Sequence, residues 1–223
     1  MIRKLLILTL LAYCATARAQ VSKTPVKQEE NKSDTSIDYT LLGAPMPDLK
    51  LKVFADTANK ELPTSASAKT GNKPDSNAAT GKQLKRAKKD KGRLKRIKEV
   101  TRNPYRTNED FDQYTNLVVM MFNPNCSHCE DETLMLEKNS SVFNKSKIIL
   151  LANPLMWEYL PNFTKTLNVF DYPVFIVGSD STFINKVFSY ASLPQINIYN
   201  KQRKLVVTLF GEVSINILKK YLE

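Results

Sequence analysis

Two cysteines two residues apart, Cys126 and Cys129, are the residues of this sequence best suited to chemistry. They follow a short apolar run and stand at the start of a predicted helix that extends to about Asn139. A cysteine in the first turn of a helix faces unpaired backbone N–H groups and the positive end of the helix dipole, and both favour thiolate over thiol. Cys129, one turn further on, lies on the same helix face and can reach the Cys126 sulfur. The spacing therefore predicts a dithiol in which one cysteine attacks a disulfide and the other resolves the mixed disulfide.

The only histidine of the chain, His128, lies between the two cysteines. Protonated, or simply as a hydrogen-bond donor, it would stabilise the Cys126 thiolate and so make the disulfide easier to reduce. The alternative is a surface imidazole without a role. A zinc site would need four ligands, usually from two separate pairs. The chain has no second Cys or His pair, because its third cysteine, Cys14, lies in an amino-terminal segment that we expect to be cleaved off. We therefore expect no metal and no cofactor apart from the dithiol itself.

Pro194 is the second candidate site residue, placed just before a predicted hairpin. As a cis-proline it would pack against the dithiol and leave the backbone of Leu193 free to pair with a substrate strand. The alternative is an ordinary proline at the start of a strand. Its position downstream of the cysteine pair favours the functional interpretation.

The first residues predict export. Arg3 and Lys4 precede the aliphatic run Leu5–Ala12, and small residues lead up to Ala19, which together are typical of a secretory signal cleaved after Ala19. A membrane anchor would need about 20 apolar residues.

Lipidation at Cys14 is the other alternative, but the neighbouring Tyr13 is bulky where such signals have a small residue. We expect a signal peptide at 1–19, a flexible spacer at 20–42 and one globular domain at 43–223. The protein would then act in the periplasm or another extracytoplasmic space.

The positive charge is concentrated in one segment. The whole chain carries +11, and +8 remains after removal of the leader, while Lys82–Lys98 alone holds ten basic residues and one acid. This segment lies in a predicted basic loop insert at about 63–100. We expect a mobile loop, or else a surface for anionic lipid or an acidic partner. No aromatic residue lies between Lys82 and Lys98 to stack on bases, which argues against nucleic acid as the partner.

Strands alternate with helices and finish in a hairpin and a helix, which predicts an α/β fold with a mixed sheet covered on both faces. The predicted strands are an edge strand at Leu49–Phe54, buried strands at Leu117–Phe122, Ile148–Ala152 and Tyr172–Gly178, and a hairpin of Gln195–Tyr199 and Lys204–Phe210. Apart from the helix at the cysteines, the predicted helices are Thr107–Tyr114, Leu155–Leu167 with a kink or break at Pro161, Thr182–Ser189 and Ser214–Leu222.

The segment from Phe122 to Cys129 (FNPNCSHC) resembles the TlpA/ResA branch of the thioredoxin superfamily, together with YPVFIV at residues 172–177, Leu193-Pro194, Ile196–Lys204 and Gly211. The resemblance implies a thioredoxin-like fold with a central strand–helix insertion. It also implies Cys126 as nucleophile, Cys129 as resolving thiol and Pro194 as the cis-proline. The chain departs from the family pattern at Asn125, where many members have Trp, and at Met120, where thioredoxins have a buried carboxylate.

These observations predict an exported thiol–disulfide oxidoreductase that exchanges disulfides with protein thiols. A membrane or envelope redox partner would then return its cysteine pair to the starting redox state. The alternative is a non-enzymatic binding protein of the same fold that docks on an anionic envelope surface or an acidic partner through the basic insert. A peroxiredoxin would have Thr at position 123, where this chain has Asn123, and a copper chaperone would need a distant histidine ligand.

Overall fold

A computed structural model describes residues 37–55, 91–92, 94–189 and 191–222. The predicted signal peptide and most of the predicted spacer and basic insert lie outside the described residues. No described helix is long and apolar enough to span a membrane.

Seven strands form one sheet in the order β2-β1-β5-β4-β3-β6-β7. The strands are β1 (Leu51–Val53), β2 (Tyr105–Arg106), β3 (Asn116–Phe122), β4 (Ser146–Ala152), β5 (Phe175–Ser179), β6 (Gln195–Tyr199) and β7 (Leu205–Phe210). β3, β4 and β5 are mutually parallel, whereas β6 runs antiparallel to β3, and β7 antiparallel to β6.

The middle of the sheet is buried on both faces. Every residue of β3 is buried, and β4 is buried except for the half-buried Lys147. Strands covered on both sides read as continuous apolar runs, which is why the sequence of β3 lacks the alternation of a half-exposed strand.

Helices cover both faces. The described helices are α1 (residues 94–102), α2 (Ser127–Lys138), α3 (Leu160–Thr166), α4 (Ser181–Val187) and α5 (Ile215–Lys219). Side chains of α2, α3 and α5 pack with Met120 and Leu150 on one face of the sheet. Side chains of α4 and of a 3-10 helix at Asn108–Phe111 pack with Val119 and Leu151 on the other.

The parallel β3–α2–β4 unit followed by the antiparallel pair β6–β7 and α5 is the arrangement of a thioredoxin-like fold. β5 and α4 form the central strand–helix insertion that the sequence predicted between the cysteine motif and Pro194. The predicted fold class is confirmed.

One local prediction was wrong. Leu49–Phe54 does not form an edge strand, because β1 lies between β5 and the two-residue strand β2. The predicted helix Leu155–Leu167 is interrupted next to Pro161, as expected, and its first part is a 3-10 helix at Pro154–Tyr159 that precedes α3. Pro161 lies in the first turn of α3. Backbone N–H groups in a first turn have no acceptor within the helix, so the missing N–H of proline costs the helix no hydrogen bond.

The carboxyl-terminal part of the predicted insert is helical, which corrects the expectation of a loop reaching residue 100. Residues 91–92 and 94–102 are in helical conformation. Arg96 in α1 donates a hydrogen bond from Nη2 to the carbonyl of Phe170, at 2.8 Å. This end of the insert is therefore fastened to the domain.

Candidate active site

The turn between β3 and α2 places the two cysteines. The backbone N–H of Asn125 donates to Oδ1 of Asn123 at 2.9 Å, and the N–H of Cys126 donates to the carbonyl of Asn123 at 3.1 Å. These bonds end the strand within three residues. Cys126 is the N-cap of α2 in extended conformation, and its carbonyl accepts from the N–H of Cys129 at 3.0 Å.

The two thiols are free and differ in accessibility. Cys126 is half-buried, whereas Cys129 is fully buried in the core. Burial raises the pKa of Cys129 to about 12, with a smaller contribution from the hydrogen bond between its side chain and that of Cys126. Cys126 is thus the sulfur that an external disulfide can reach, and Cys129 is held protonated beneath it.

The peptide bond between Leu193 and Pro194 is cis, as predicted. β6 is antiparallel to β3 with Gln195 opposite Met121, so this peptide lies at the edge of the sheet from which Cys126 emerges. Within the part of the chain that the structure describes, neither backbone polar group of Leu193 has a hydrogen-bond partner. The backbone beside the dithiol is therefore available to pair with an extended peptide.

Gln195 secures the strand next to Pro194. Its buried side chain donates from Nε2 to the carbonyl of Val187 at 2.9 Å and accepts from the N–H of Ser189 at the same distance. These bonds join β6 to the end of α4 and so hold both ends of the segment that contains the cis-proline. Sequence reasoning did not identify this residue.

His128 is exposed, and its ring has a partner that the sequence did not predict. Nδ1 lies 2.6 Å from Oε1 of Glu212, with side-chain exposures of 68% and 51%. The histidine therefore lies between the two cysteines in sequence and contacts the segment that follows β7 through its ring.

Glu132 is a third site residue that sequence reasoning missed, after Gln195 and Glu212. It is only 1% exposed, and its Oε2 accepts a hydrogen bond from the N–H of Val213 at 2.8 Å. Its Oε1 is buried without a partner. Burial raises the pKa of this carboxyl to about 7, while the Val213 bond opposes that rise. The signal was present in the helical spacing, because Glu132 is three residues after Cys129 and four before Leu136, on the apolar face of α2.

Gly211–Val213 connects the elements of the site. The N–H of Gly211 donates to the carbonyl of Pro194 at 2.8 Å, Glu212 pairs with His128, and Val213 bonds to Glu132. Gly211 has φ +69°, a conformation that suits glycine. The three residues thus join the cis-proline to two points of α2.

No group of three or more potential metal-ligating side chains occurs among the described residues. Met120, at the position of the thioredoxin carboxylate, is fully buried in the core. Asn125, before the first cysteine, is exposed.

Neither a family model nor a curated protein sequence matches the chain. Similar solved structures include the thioredoxin domain of a thiol-disulfide oxidoreductase from Bacteroides vulgatus, with 14% identity over 82% of this chain and 99% of that one (TM-score 0.49). StoA from Bacillus subtilis is 13% identical over 53% of this chain and 89% of its own (TM-score 0.43). A secreted Mycobacterium tuberculosis disulfide oxidoreductase, homologous to E. coli DsbE, is 13% identical over 53% and 87% (TM-score 0.43).

The fold assignment rests on this chain's own architecture. A parallel strand–helix–strand unit is followed by an antiparallel hairpin, the cysteine pair stands where β3 meets α2, and a cis-proline precedes β6. The protein has a thioredoxin-like fold, as its sequence predicted.

Proposed function

We propose that the protein is an exported thiol–disulfide oxidoreductase that exchanges disulfides with protein thiols through Cys126 and Cys129. The observation that carries the proposal is the pairing of a half-buried thiol at the N-cap of α2 with a fully buried thiol one turn later. A structural disulfide would close a ring of only four residues and would constrain the unfolded chain little. The pair is better explained by reactivity.

The exchange begins at Cys126. Its thiolate attacks one sulfur of a substrate disulfide, a Cys126–substrate disulfide forms, and the other substrate sulfur leaves as a thiolate. Cys129 then loses its proton and attacks the Cys126 sulfur, which releases the second substrate sulfur as a thiolate. The substrate has gained two electrons and the protein holds a Cys126–Cys129 disulfide. The same steps in reverse oxidise a substrate dithiol.

Three neighbouring groups would support these steps. The unpaired backbone of Leu193 would hold the substrate strand beside the dithiol. Pro194 would keep that backbone at the edge of the sheet where Cys126 lies. His128, whose ring is bonded to Glu212, lies between the two cysteines in sequence and is the proposed group that stabilises the attacking thiolate.

The proposed partners are protein thiols and disulfides, together with a membrane or envelope redox protein that returns the dithiol to its working state. The proposed location is the periplasm or another extracytoplasmic space, which the predicted signal peptide supports.

Single-cysteine variants test the proposal. In a Cys14→Ser background, Cys129→Ser should form a stable mixed disulfide with oxidised glutathione, seen by mass spectrometry, because no resolving thiol remains. Cys126→Ser is the matched control and should form far less adduct, since Cys129 is buried. The unmodified pair should complete the exchange and form an intramolecular disulfide. Equal adduct on both variants, or none on either, would contradict the proposed roles.

A further inference from the structure

An open pocket lies on the edge of the sheet that carries the dithiol. It has a volume of about 550 Å³ and is formed where β1, the end of β5 and the segment after β4 meet. The strands place it in register with the active site, because Phe122 pairs with Ala152 and Ala152 pairs with Ser179, which lines the pocket. At about 4.8 Å between neighbouring strands, Ser179 is roughly 10 Å from the residue at which β3 ends.

The pocket and the dithiol also share one face of the sheet. Trp157, in the wall of the pocket, and Cys126 both pack against the core cluster on the α2 side. Leu193 lies on the other flank of Cys126, since β6 borders β3 on one side while β4 and β5 follow on the other. A segment that pairs with Leu193 and crosses Cys126 therefore reaches the pocket about three to five residues beyond its own cysteine, at about 3.3 Å per residue.

Two lysines of this pocket stand over aromatic rings. Nζ of Lys52 lies 4.6 Å from the centre of the Trp157 ring, and Nζ of Lys50 lies 5.5 Å from the centre of the Tyr105 ring. A ring face attracts the cation but offers it no oxygen acceptor. Within the described residues, neither ammonium group donates to an oxygen, so the donors of both are available to a ligand.

The acids nearby leave these two lysines without an ion-pair partner. Among the described residues that line the pocket, Asp180 is the only acid, and it is 7% exposed. Its two oxygens already accept backbone N–H groups, from Lys50 at 2.6 Å and from Phe183 at 3.0 Å. The exposed Glu158 forms no ion pair with Lys50 or Lys52 in the described part of the chain. Two cations against one carboxylate give the pocket a net positive charge.

We propose that this pocket is a substrate subsite, which binds an acidic side chain about three to five residues from the substrate cysteine that Cys126 attacks. The carboxylate accepts hydrogen bonds from Lys50 and Lys52, and the two aromatic rings contact the rest of the segment. The inference rests on the proposed exchange function and adds a substrate class to it, namely proteins with aspartate or glutamate close to the reactive cysteine.

Matched peptides test this preference in a Cys14→Ser background. Each peptide has one cysteine, blocked as a disulfide with 2-mercaptoethanol, and either aspartate or asparagine three to five residues away on both sides. The Cys126 thiolate forms a disulfide with the peptide and releases 2-mercaptoethanol as a thiolate, and Cys129 then displaces the peptide thiolate. Because exposed ion pairs are individually weak, we expect the aspartate peptide to react about five-fold faster at low salt and to lose this advantage at about 0.5 M salt.

Variants assign the advantage to the pocket. Lys50→Gln combined with Lys52→Gln should remove it, whereas Lys145→Gln should keep it, because this exposed lysine precedes β4 at the opposite edge of the sheet. Each rate is divided by the rate with bis(2-hydroxyethyl) disulfide, a neutral substrate too small to reach the pocket, so that a change in the dithiol itself cancels.

Trp157 gives a second readout, since it is the only tryptophan of the chain and lies directly under Lys52. In Cys129→Ser the disulfide between Cys126 and the peptide persists, and this tether gives the acidic residues a high effective concentration at the pocket. The emission of Trp157 should differ between the aspartate and asparagine adducts, and this difference should vanish in the double lysine variant.

The inference is overturned if the two peptides react equally fast with the parent, if the double lysine variant keeps the preference, or if the two adducts have the same emission in the parent. Each of these results leaves the exchange function standing as long as bis(2-hydroxyethyl) disulfide is reduced. A parent that reduces neither peptide nor bis(2-hydroxyethyl) disulfide would refute the exchange function and the subsite together.

Discussion

Glu132 should make the stability of this protein fall with rising pH, and substitution by glutamine should remove the part of the pH dependence that is due to this residue. The carboxyl is buried in the active-site helix, and its pKa is raised from 4.5 to about 7. The folded protein therefore binds a proton between these two pH values that the unfolded chain has released. By linkage, the stabilisation of the folded protein that comes from protonated Glu132 is fully present below pH 4.5 and is lost as pH rises through 7.

The size of the effect follows from the shift. Each pKa unit corresponds to about 1.4 kcal/mol, so ionisation of Glu132 should lower the free energy of unfolding by about 2 to 3 kcal/mol between about pH 5 and about pH 8. In Glu132→Gln the side chain cannot ionise but can still accept the Val213 hydrogen bond through its amide oxygen. The difference in pH dependence between parent and Glu132→Gln isolates this one group, because the pH dependence due to Glu137 is present in both proteins.

Urea unfolding of the reduced protein at the two pH values measures the effect. The stability of the parent should fall more steeply with pH than that of Glu132→Gln, and the variant should gain relative to the parent at the higher pH. Asp131→Asn, an exposed neighbour on the same helix, is the matched control and should behave like the parent. Identical pH dependence in parent and Glu132→Gln would refute the reasoning, since it would mean that Glu132 is solvated or ionised throughout.

Three further predictions concern the dithiol, the insert and the core. His128→Ala should lower the reduction potential measured against glutathione, because a group that stabilises the Cys126 thiolate is lost; an unchanged or higher potential would make His128 a bystander. Deletion of residues 81–90 should leave exchange with a small dithiol intact and abolish any salt-sensitive binding to anionic vesicles, whereas a deletion reaching Lys98 would also remove the contact of Arg96 with Phe170. Loss of exchange in the shorter deletion, with the fold preserved, would place the insert in the active site. Phe163→Ala should lower the free energy of unfolding by about 3 to 5 kcal/mol, because Phe163 is 2% exposed and its ring lies 4.7 Å from that of Phe122; a loss below about 1 kcal/mol in urea unfolding would show that the core repacks.

The site differs from its sequence prediction mainly in the residues around the dithiol. Cys126, Cys129 and Pro194 were predicted because each has a local signature: a cysteine pair after an apolar run, or a proline before a hairpin. Glu212 has no such signature, and the helical spacing of Glu132 indicates burial but not its contact with Val213. They become part of the site only because the segment after β7 returns to α2, about eighty residues away along the chain.

Local sequence determined the strands and helices near the cysteines. Neighbouring residues are enough to predict the buried strand β3, the turn at Asn123 and the helix from Ser127. The backbone hydrogen bonds of the turn and the helix are local, and the spacing of apolar residues shows which positions are buried.

Only the tertiary structure decided which residues face each other. The two-residue strand β2 is too short to show a pattern, and it exists because Tyr105 and Arg106 pair with β1. Likewise α1 gains its position from the bond of Arg96 to Phe170, about seventy residues away along the chain. Pairing between distant segments depends on packing of the whole domain, and no local pattern records it.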